Sequence, residues 1–181
     1  MMSDVLLETI EDGVATLTMN RPEARNAFTR EMISGMSEKL TRLAKDNAVR
    51  VVVLTGAGGA FCSGGDVKSF AANAGAKVNL NEKIQDLRER SEVSRLLHEM
   101  PKPTLAVIPG PAAGAGFSLA MACDMRIAAD DAKITTAFSK VGLSGDFGGS
   151  YFLTKLLGEA KAKELYFTAD VVLGKEAEKI G

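Results

Sequence analysis

Tryptophan is absent from this sequence, histidine occurs once, and there are only two cysteines, Cys62 and Cys123. Two distant cysteines and one histidine supply neither a disulfide framework nor the ligand spacing of a metal site. We therefore expect no metal and a reducing, cytoplasmic location. Basic residues are not in excess, because the formal net charge is -1. Without a basic stripe to neutralise phosphates, no nucleic-acid partner is expected.

Most uncharged segments are short, but one is long enough to suggest a membrane-spanning helix. Residues 104–123 carry no charge and are numerous enough for a transmembrane helix. Pro109, Pro111 and the glycines between residues 110 and 116 interrupt this segment, which favours a strand, a loop and a buried helix. The first residues also lack the basic segment and apolar run of a secretory signal. We therefore expect neither a membrane association nor a signal peptide.

The remaining apolar pattern predicts an α/β fold. Two partly alternating segments flank Asp12-Gly13 and predict a hairpin. Thr29 is a suitable N-cap for a helix whose apolar residues recur at helical spacing, namely Met32, Ile33, Met36, Leu40 and Leu43. Strands are predicted at 50–56, 103–108, 125–129 and 133–136. Because helices alternate with these strands, we expect a largely parallel sheet and a single domain over residues 1–181.

Four further helices are predicted from weaker patterns. Residues 81–100 give a partly amphipathic helix with Ile84, Leu87, Ser91, Leu97 and Met100 on its inner face. The segment "FSLAMAC" gives a short buried helix after a glycine-containing loop. Two more helices are expected around "GSYFLTKLLG" and "EAKAKELYF".

Two glycine-containing loops, "FCSGGDV" at 61–67 and "PAAGAGFS" at 111–118, each follow an apolar strand. Such loops leave backbone N–H groups free to face a negatively charged oxygen, and a following helix N-terminus adds a favourable dipole. Nucleotide-binding motifs do not fit, because Phe61 stands where a third glycine is needed and "SGGDV" lacks Gly-Lys-Ser/Thr. Two loops that give one N–H each suit a single developing oxyanion better.

One acid, Asp146, stands among glycines in "GLSGDFGGSYF". It is a candidate for a turn residue, for a cap of the helix that follows, or for a catalytic group. We favour catalysis, because Phe138 and Phe147 are apolar neighbours that would desolvate it and because an oxyanion site needs a base.

Four motifs together carry a resemblance to a known family: "NRPEARNAF", "LTGAGGAFCSGGDV", "KPTLAVIPGPAAGAGFSLAMACD" and "AFSKVGLSGDFGG". Their order and separation resemble the crotonase family, the enoyl-CoA hydratases and isomerases. The resemblance implies a crotonase (ClpP-like) fold of repeated ββα turns that binds acyl-CoA thioesters. By position in the motifs, the backbone N–H groups of Gly65 and Ala115 would form the oxyanion hole.

The same resemblance implies the rest of the binding site and the assembly. Coenzyme A would enter as part of the substrate, with no other cofactor, and the protein would form a homotrimer or a dimer of trimers. Family members continue with further helices, so we expect the C-terminal helical part to be missing from these 181 residues. The substrate and CoA contacts would come from Ala24, Arg25, Ala60, Ser63, Gly64, Asp66, Val67, Ala113 and Phe138.

Two departures from the family pattern bear on the reaction. Ser118 and Phe138 stand where hydratases of the family have two glutamates, and neither side chain can act as a carboxylate acid or base. The pattern then resembles the ring-epoxide isomerase branch, in which an aspartate at the position of Asp146 moves the proton. A dehalogenase branch would need a histidine at Ser91. We expect enoyl-CoA isomerisation, with hydration by Asp146 alone or acyl-CoA binding without catalysis as alternatives.

Overall fold

A computed structural model describes residues 5–65 and 79–181 of the chain. Two of the predicted CoA contacts, Asp66 and Val67, lie outside the described residues. The described strands are β1 Leu6–Glu11, β2 Val14–Met19, β3 Val51–Gly56, β4 Thr104–Ile108, β5 Ala112–Ala113, β6 Met125–Ala128, β7 Lys133–Thr135 and β8 Val172–Leu173. The described helices are α1 Arg30–Lys45, α2 Leu80–His98, α3 Ala115–Ala122, α4 Gly149–Thr168 and α5 Gly174–Ile180.

The larger sheet has five strands in the order β1-β2-β3-β4-β6, and only the β1–β2 hairpin is antiparallel. Asp12 and Gly13 form its turn with φ of 49° and 82°, as the Asp-Gly sequence predicts. A smaller sheet has the order β5-β7-β8. The predicted α/β fold with a largely parallel sheet is confirmed.

Helix α1 follows the sequence prediction closely. Thr29 caps it, because its hydroxyl accepts a hydrogen bond of 3.1 Å from the Met32 N–H. All five apolar residues that were predicted to face inward are buried. Helix α4 contains the two predicted helical segments, which are separated at Gly158, where φ of 76° and ψ of 166° are not helical.

The predicted inner face of α2 is wrong in its first half. Ile84 and Leu87 are exposed at 41% and 47%, and Met100 lies beyond the last helical residue. The buried residues of α2 are Val93, Ser94 and Leu97, all in its second half. Only this half packs against the core, so the apolar spacing of the first half does not report burial.

Residues 104–123 form strand β4, a turn, the short strand β5 and helix α3, as predicted. Nearly all of α3 is buried, which explains its uncharged sequence. Across the described ranges 5–65 and 79–181, no helix is long and apolar enough to cross a membrane.

The first turn of α3 lies directly against the loop after β3. A Cβ atom added at Gly116 would lie 2.5 Å from the Cys62 carbonyl oxygen and 2.8 Å from its sulfur. Cys62 also forms a parallel bridge with Ala112, so the two loops are held together on both sides of this contact. Only glycine allows so close an approach of the helix backbone.

We expect Gly116→Ala to destabilise the protein by about 1–3 kcal/mol, because the new methyl group overpacks a buried backbone contact. Gly35→Ala in α1 is the matched control, since a Cβ at Gly35 would meet only the Leu6 side chain, at an ordinary contact distance of 3.8 Å. This control should stabilise the fold by roughly 0.5–1 kcal/mol through helix propensity. Urea unfolding of both variants measures the difference, and equal effects would contradict the close-packing explanation.

Candidate active site

The two glycine-containing loops meet at their backbones. The Ala113 N–H donates to the Cys62 carbonyl at 2.9 Å. A Cβ atom on Gly64 would lie 2.8 Å from the Ala113 oxygen and 3.2 Å from the Ala115 nitrogen. Gly64 has a φ of 89°, a conformation that favours glycine. Gly64 therefore lies against Ala115, the first residue of α3, and Gly65 follows it directly in the chain.

The N–H groups of Gly65 and Ala115 donate no hydrogen bond to any described residue. Their neighbours are occupied: the Gly64 carbonyl accepts from the Phe28 N–H at 2.8 Å, and the Gly114 carbonyl accepts from the Ser118 N–H at 2.9 Å. Ala115 is the first residue of α3, where N–H groups have no partner within the helix. Two such donors on adjoining loops can stabilise one developing oxyanion.

Several residues predicted to contact CoA come together beside these loops. The Ser63 N–H donates to the Arg25 carbonyl at 3.0 Å, and the Ser63 hydroxyl donates to the Ala24 carbonyl at 3.2 Å. Arg25 has a φ of 49°, and its side chain is exposed. The segment around Ala24 and Arg25 is thus fixed to the loop that precedes Gly65.

Sequence reasoning missed Asn26, which organises this region. Its side-chain amide donates to the carbonyls of Ala57 and Ala60 at 2.9 and 2.8 Å, and its Oδ1 accepts from the Arg21 N–H at 2.9 Å. Asn26 is fully buried and has a φ of 56°. The signal available in the sequence was the residue type alone, because asparagine adopts the left-handed region more readily than most residues.

Cys62 supports the loop and is not poised for nucleophilic chemistry. Burial raises the pKa of its thiol to about 12, against the opposing effect of the Gly64 N–H. The thiol donates to the Asn26 carbonyl at 3.0 Å, and its sulfur accepts from the Gly64 N–H at 3.3 Å. Among residues 5–65 and 79–181, no group of three or more acidic, histidine or cysteine side chains could hold a metal ion.

The Asp146 loop packs against both donor loops. Phe147, with a φ of 50°, places its ring 5.4 Å from that of Phe28, which forms a parallel bridge with Gly65. On the other side, a Cβ at Gly149 would lie 2.2 Å from the Ser118 hydroxyl, one turn beyond Ala115 in α3. These two contacts bring the loop of Asp146 to the junction of the donor loops.

The Asp146 side chain does not cap α4. The N-cap is Gly148, no side chain caps the helix, and the Gly149 N–H reaches only the Asp146 backbone carbonyl at 3.0 Å. Asp146 Oδ1 is buried and has no hydrogen-bond partner among the described residues. Burial raises the pKa of Asp146 to about 6, although the positive charge of Arg90 opposes this.

The other polar and aromatic candidates, Ser118, Phe138 and His98, make structural contacts. The buried Ser118 hydroxyl donates to the Gly114 carbonyl at 3.2 Å, one turn back in its own helix. Phe138 is buried, with ring atoms 3.8 Å from the position of a Cβ at Gly114. His98 is exposed and meets the ring of Phe152 edge-on at 5.0 Å.

Comparisons with known proteins identify the family of this chain. The family described as enoyl-CoA hydratase/isomerase matches residues 9–181. A 1,2-epoxyphenylacetyl-CoA isomerase of Escherichia coli is 37% identical, with 99% of this chain and 68% of that protein covered. A crotonyl-CoA hydratase of Syntrophomonas wolfei is 36% identical, with 98% of this chain and 66% of that protein covered.

Solved structures give the same result. The crystal structure of an enoyl-CoA hydratase from a Polaromonas species matches with a TM-score of 0.90 at 35% identity, and 97% of this chain and 68% of that one are covered. The chain thus spans about two thirds of the length of these relatives. The predicted crotonase fold is confirmed, and the chain belongs to the enoyl-CoA hydratase/isomerase family.

Proposed function

We propose that the protein isomerises an enoyl-CoA, or a related ring-bearing acyl-CoA, by moving a proton from one carbon to another. The observation that carries this proposal is the buried Asp146 oxygen without a partner. Its loop packs against Phe28, which is bridged to Gly65, and against Ser118, which lies one turn beyond Ala115. An unpaired buried carboxylate is unfavourable for folding, and such groups cluster at catalytic sites. A pKa of about 6 leaves Asp146 ionised at neutral pH and still able to return a proton.

In this mechanism the thioester oxygen accepts hydrogen bonds from the Gly65 and Ala115 N–H groups. Ionised Asp146 removes a proton from the acyl chain, and the electron pair of the C–H bond moves into an enolate whose charge the two donors stabilise. Protonated Asp146 then returns the proton to another carbon as the electron pair moves back. Substrate and product have the same composition and oxidation level, so the reaction consumes no redox equivalent. We propose no metal cofactor, because the two N–H donors stabilise the oxyanion.

Isomerisation fits the residues of this site better than ordinary hydration does. Hydration with two carboxylates would need acids at Ser118 and Phe138. The Ser118 hydroxyl instead donates within its helix, and the Phe138 side chain has no proton to transfer. One base suffices for a proton that leaves and returns on the same substrate. Hydration by Asp146 alone is the alternative that the assays below separate.

For the coenzyme A part of the substrate, we propose that the exposed Arg25 guanidinium pairs with its phosphates. The hydrogen bonds from Ser63 to Ala24 and Arg25 support this, since they fix Arg25 beside the donor loop. The two cysteines are buried and unpaired, and we propose a cytoplasmic location on that ground. The remaining proposed substrate contacts are Ala60, Gly64, Asp66, Val67, Ala113 and Phe138.

Ala115→Pro should lower turnover at least about a hundredfold, because loss of one oxyanion donor costs roughly 2.7–4 kcal/mol in the transition state. Proline removes the Ala115 N–H and also distorts the loop, because its ring enters the space in which Gly64 approaches the Ala115 nitrogen. Ala115→Gly keeps the donor and should keep most activity. Steady-state kinetics with enoyl-CoA thioesters measures both, and equal losses would refute the backbone-donor assignment.

Asp146→Asn should bind acyl-CoA with similar affinity but no longer exchange substrate α- or γ-protons with deuterated water, because the base is gone. In the unaltered protein the exchange rate should rise with pH through about 6, as Asp146 ionises, and then level off. Mass spectrometry of 2-enoyl- and 3-enoyl-CoA separates double-bond migration from water uptake. Water uptake alone would favour hydration, and full exchange in Asp146→Asn would leave Asp146 without a catalytic role.

We also propose that the protein assembles as a homotrimer or a dimer of trimers. Exposed apolar side chains support an assembly, among them Met125 and Ile127 on β6 and Phe167 on α4. Light scattering on the eluting protein should then give three or six times the chain mass of 19.1 kDa. A stable monomer at micromolar concentration would contradict the proposal.

A further inference from the structure

Tyr166, near the end of α4, places its hydroxyl behind the Asp146 loop. A Cβ atom at Gly145 would lie 3.4 Å from the Tyr166 oxygen, and one at Gly149 would lie 2.4 Å from it. These glycines stand on either side of Asp146 in the sequence. The phenol therefore occupies the space that side chains at both positions would fill.

The phenol and the carboxylate are complementary atoms left without partners. Tyr166 Oη and Asp146 Oδ1 are both buried, and neither makes a hydrogen bond of ordinary geometry to a described residue. A phenol can donate one proton, and an ionised carboxylate can only accept. Burying both groups unpaired is unfavourable, and a bond between them would remove both penalties.

Three other polar groups lie around Asp146 and Tyr166. Arg90 of α2 acts on Asp146 through its charge; one terminal nitrogen of its guanidinium pairs with Asp86 at 2.7 Å, and its buried Nε has no partner among the described residues. The Ser118 hydroxyl donates to the Gly114 carbonyl, so its oxygen is an alternative acceptor for the Tyr166 phenol while Asp146 is neutral. His98, the remaining titratable group near the start of α4, is exposed and meets Phe152.

The ring of Tyr166 is held in place by stacking, and its hydroxyl stays protonated. It stacks on Phe138 with centroids 6.1 Å apart and an angle of 2° between the planes. Burial, and secondarily the charge of Asp146, raises the pKa of Tyr166 to about 12, although the Ser118 hydroxyl opposes this. The phenol is therefore a hydrogen-bond donor over the whole neutral range.

We propose that Tyr166 is the positioning residue of the Asp146 base, with its hydroxyl donating to the carboxylate once Asp146 ionises. One carboxylate oxygen is then fixed from behind, and the other remains free for the substrate proton. The proton of Tyr166 stays on the phenol throughout, so the residue acts through Asp146 and not on the substrate. The catalytic consequence rests on the proposed isomerisation, whereas the hydrogen bond does not.

The hydrogen bond between Tyr166 and Asp146 can be followed by tyrosine fluorescence without substrate, because the sequence has no tryptophan and only two tyrosines. Tyr151 is 53% exposed, and its ring meets the ring of His98, so its fluorescence would add a second signal. Tyr151→Phe is therefore the starting protein. The fluorescence of its single tyrosine should show one transition near pH 6 as Asp146 ionises. Adding Asp146→Asn should abolish that transition. A flat response between pH 4.5 and 7.5, or a transition that survives Asp146→Asn, would overturn the proposal.

Kinetics supply the second measurement. Tyr166→Phe keeps the stacked ring but removes the donor, so the rate of proton exchange should fall about tenfold with KM within about twofold. The midpoint of its pH profile should move upward by about one pH unit, because the ionised carboxylate loses stabilisation. Tyr151→Phe is the matched control and should leave both unchanged. A lower rate in Tyr166→Phe without a shifted midpoint would mean that Tyr166 only packs against the site. If the unaltered protein and both variants lack activity, the proposed isomerisation is contradicted, and the fluorescence experiment still tests the hydrogen bond.

Discussion

The site depends on one close backbone contact, the seating of the first turn of α3 on the loop after β3. Gly116 lies so near Cys62 that no side chain fits between them, and Gly64 approaches Ala115 almost as closely. The two donors, Gly65 and Ala115, are 50 residues apart in sequence, yet they must serve one oxygen atom. The bridge between Cys62 and Ala112 fixes their register, so the position of each N–H follows from sheet pairing and not from a flexible loop.

Desolvation is the second constraint, and it acts on Asp146. Two aromatic contacts shape its surroundings: Phe147 packs on Phe28, and Phe138 stacks on Tyr166. These rings exclude water from the carboxyl group, and this burial raises the pKa of Asp146 to about 6. The positive φ of Phe147 belongs to the same arrangement, because it turns the ring inward where a relaxed backbone would direct it elsewhere.

Predictions that rest on local sequence succeeded, whereas a prediction that depended on tertiary packing did not. The hairpin at Asp12-Gly13 and the capped helix α1 were predictable because turn chemistry and helical periodicity are local properties. The inner face of α2 was not, since Ile84 and Leu87 have helical spacing but lie where α2 meets no core. Periodicity reports which residues could face a core, and only packing decides whether a core is there.

The sequence by itself determined the fold class, the family motifs and the two glycine-containing loops, because these depend on neighbours along the chain and on motif order. It also singled out Asp146 as the acid without an evident partner. Only the tertiary structure decided that Asp146 caps nothing, that Asn26 ties the loops together and that Tyr166 lies behind the base. These are side-chain contacts between segments distant in sequence, and no local pattern encodes which distant group fills a given space.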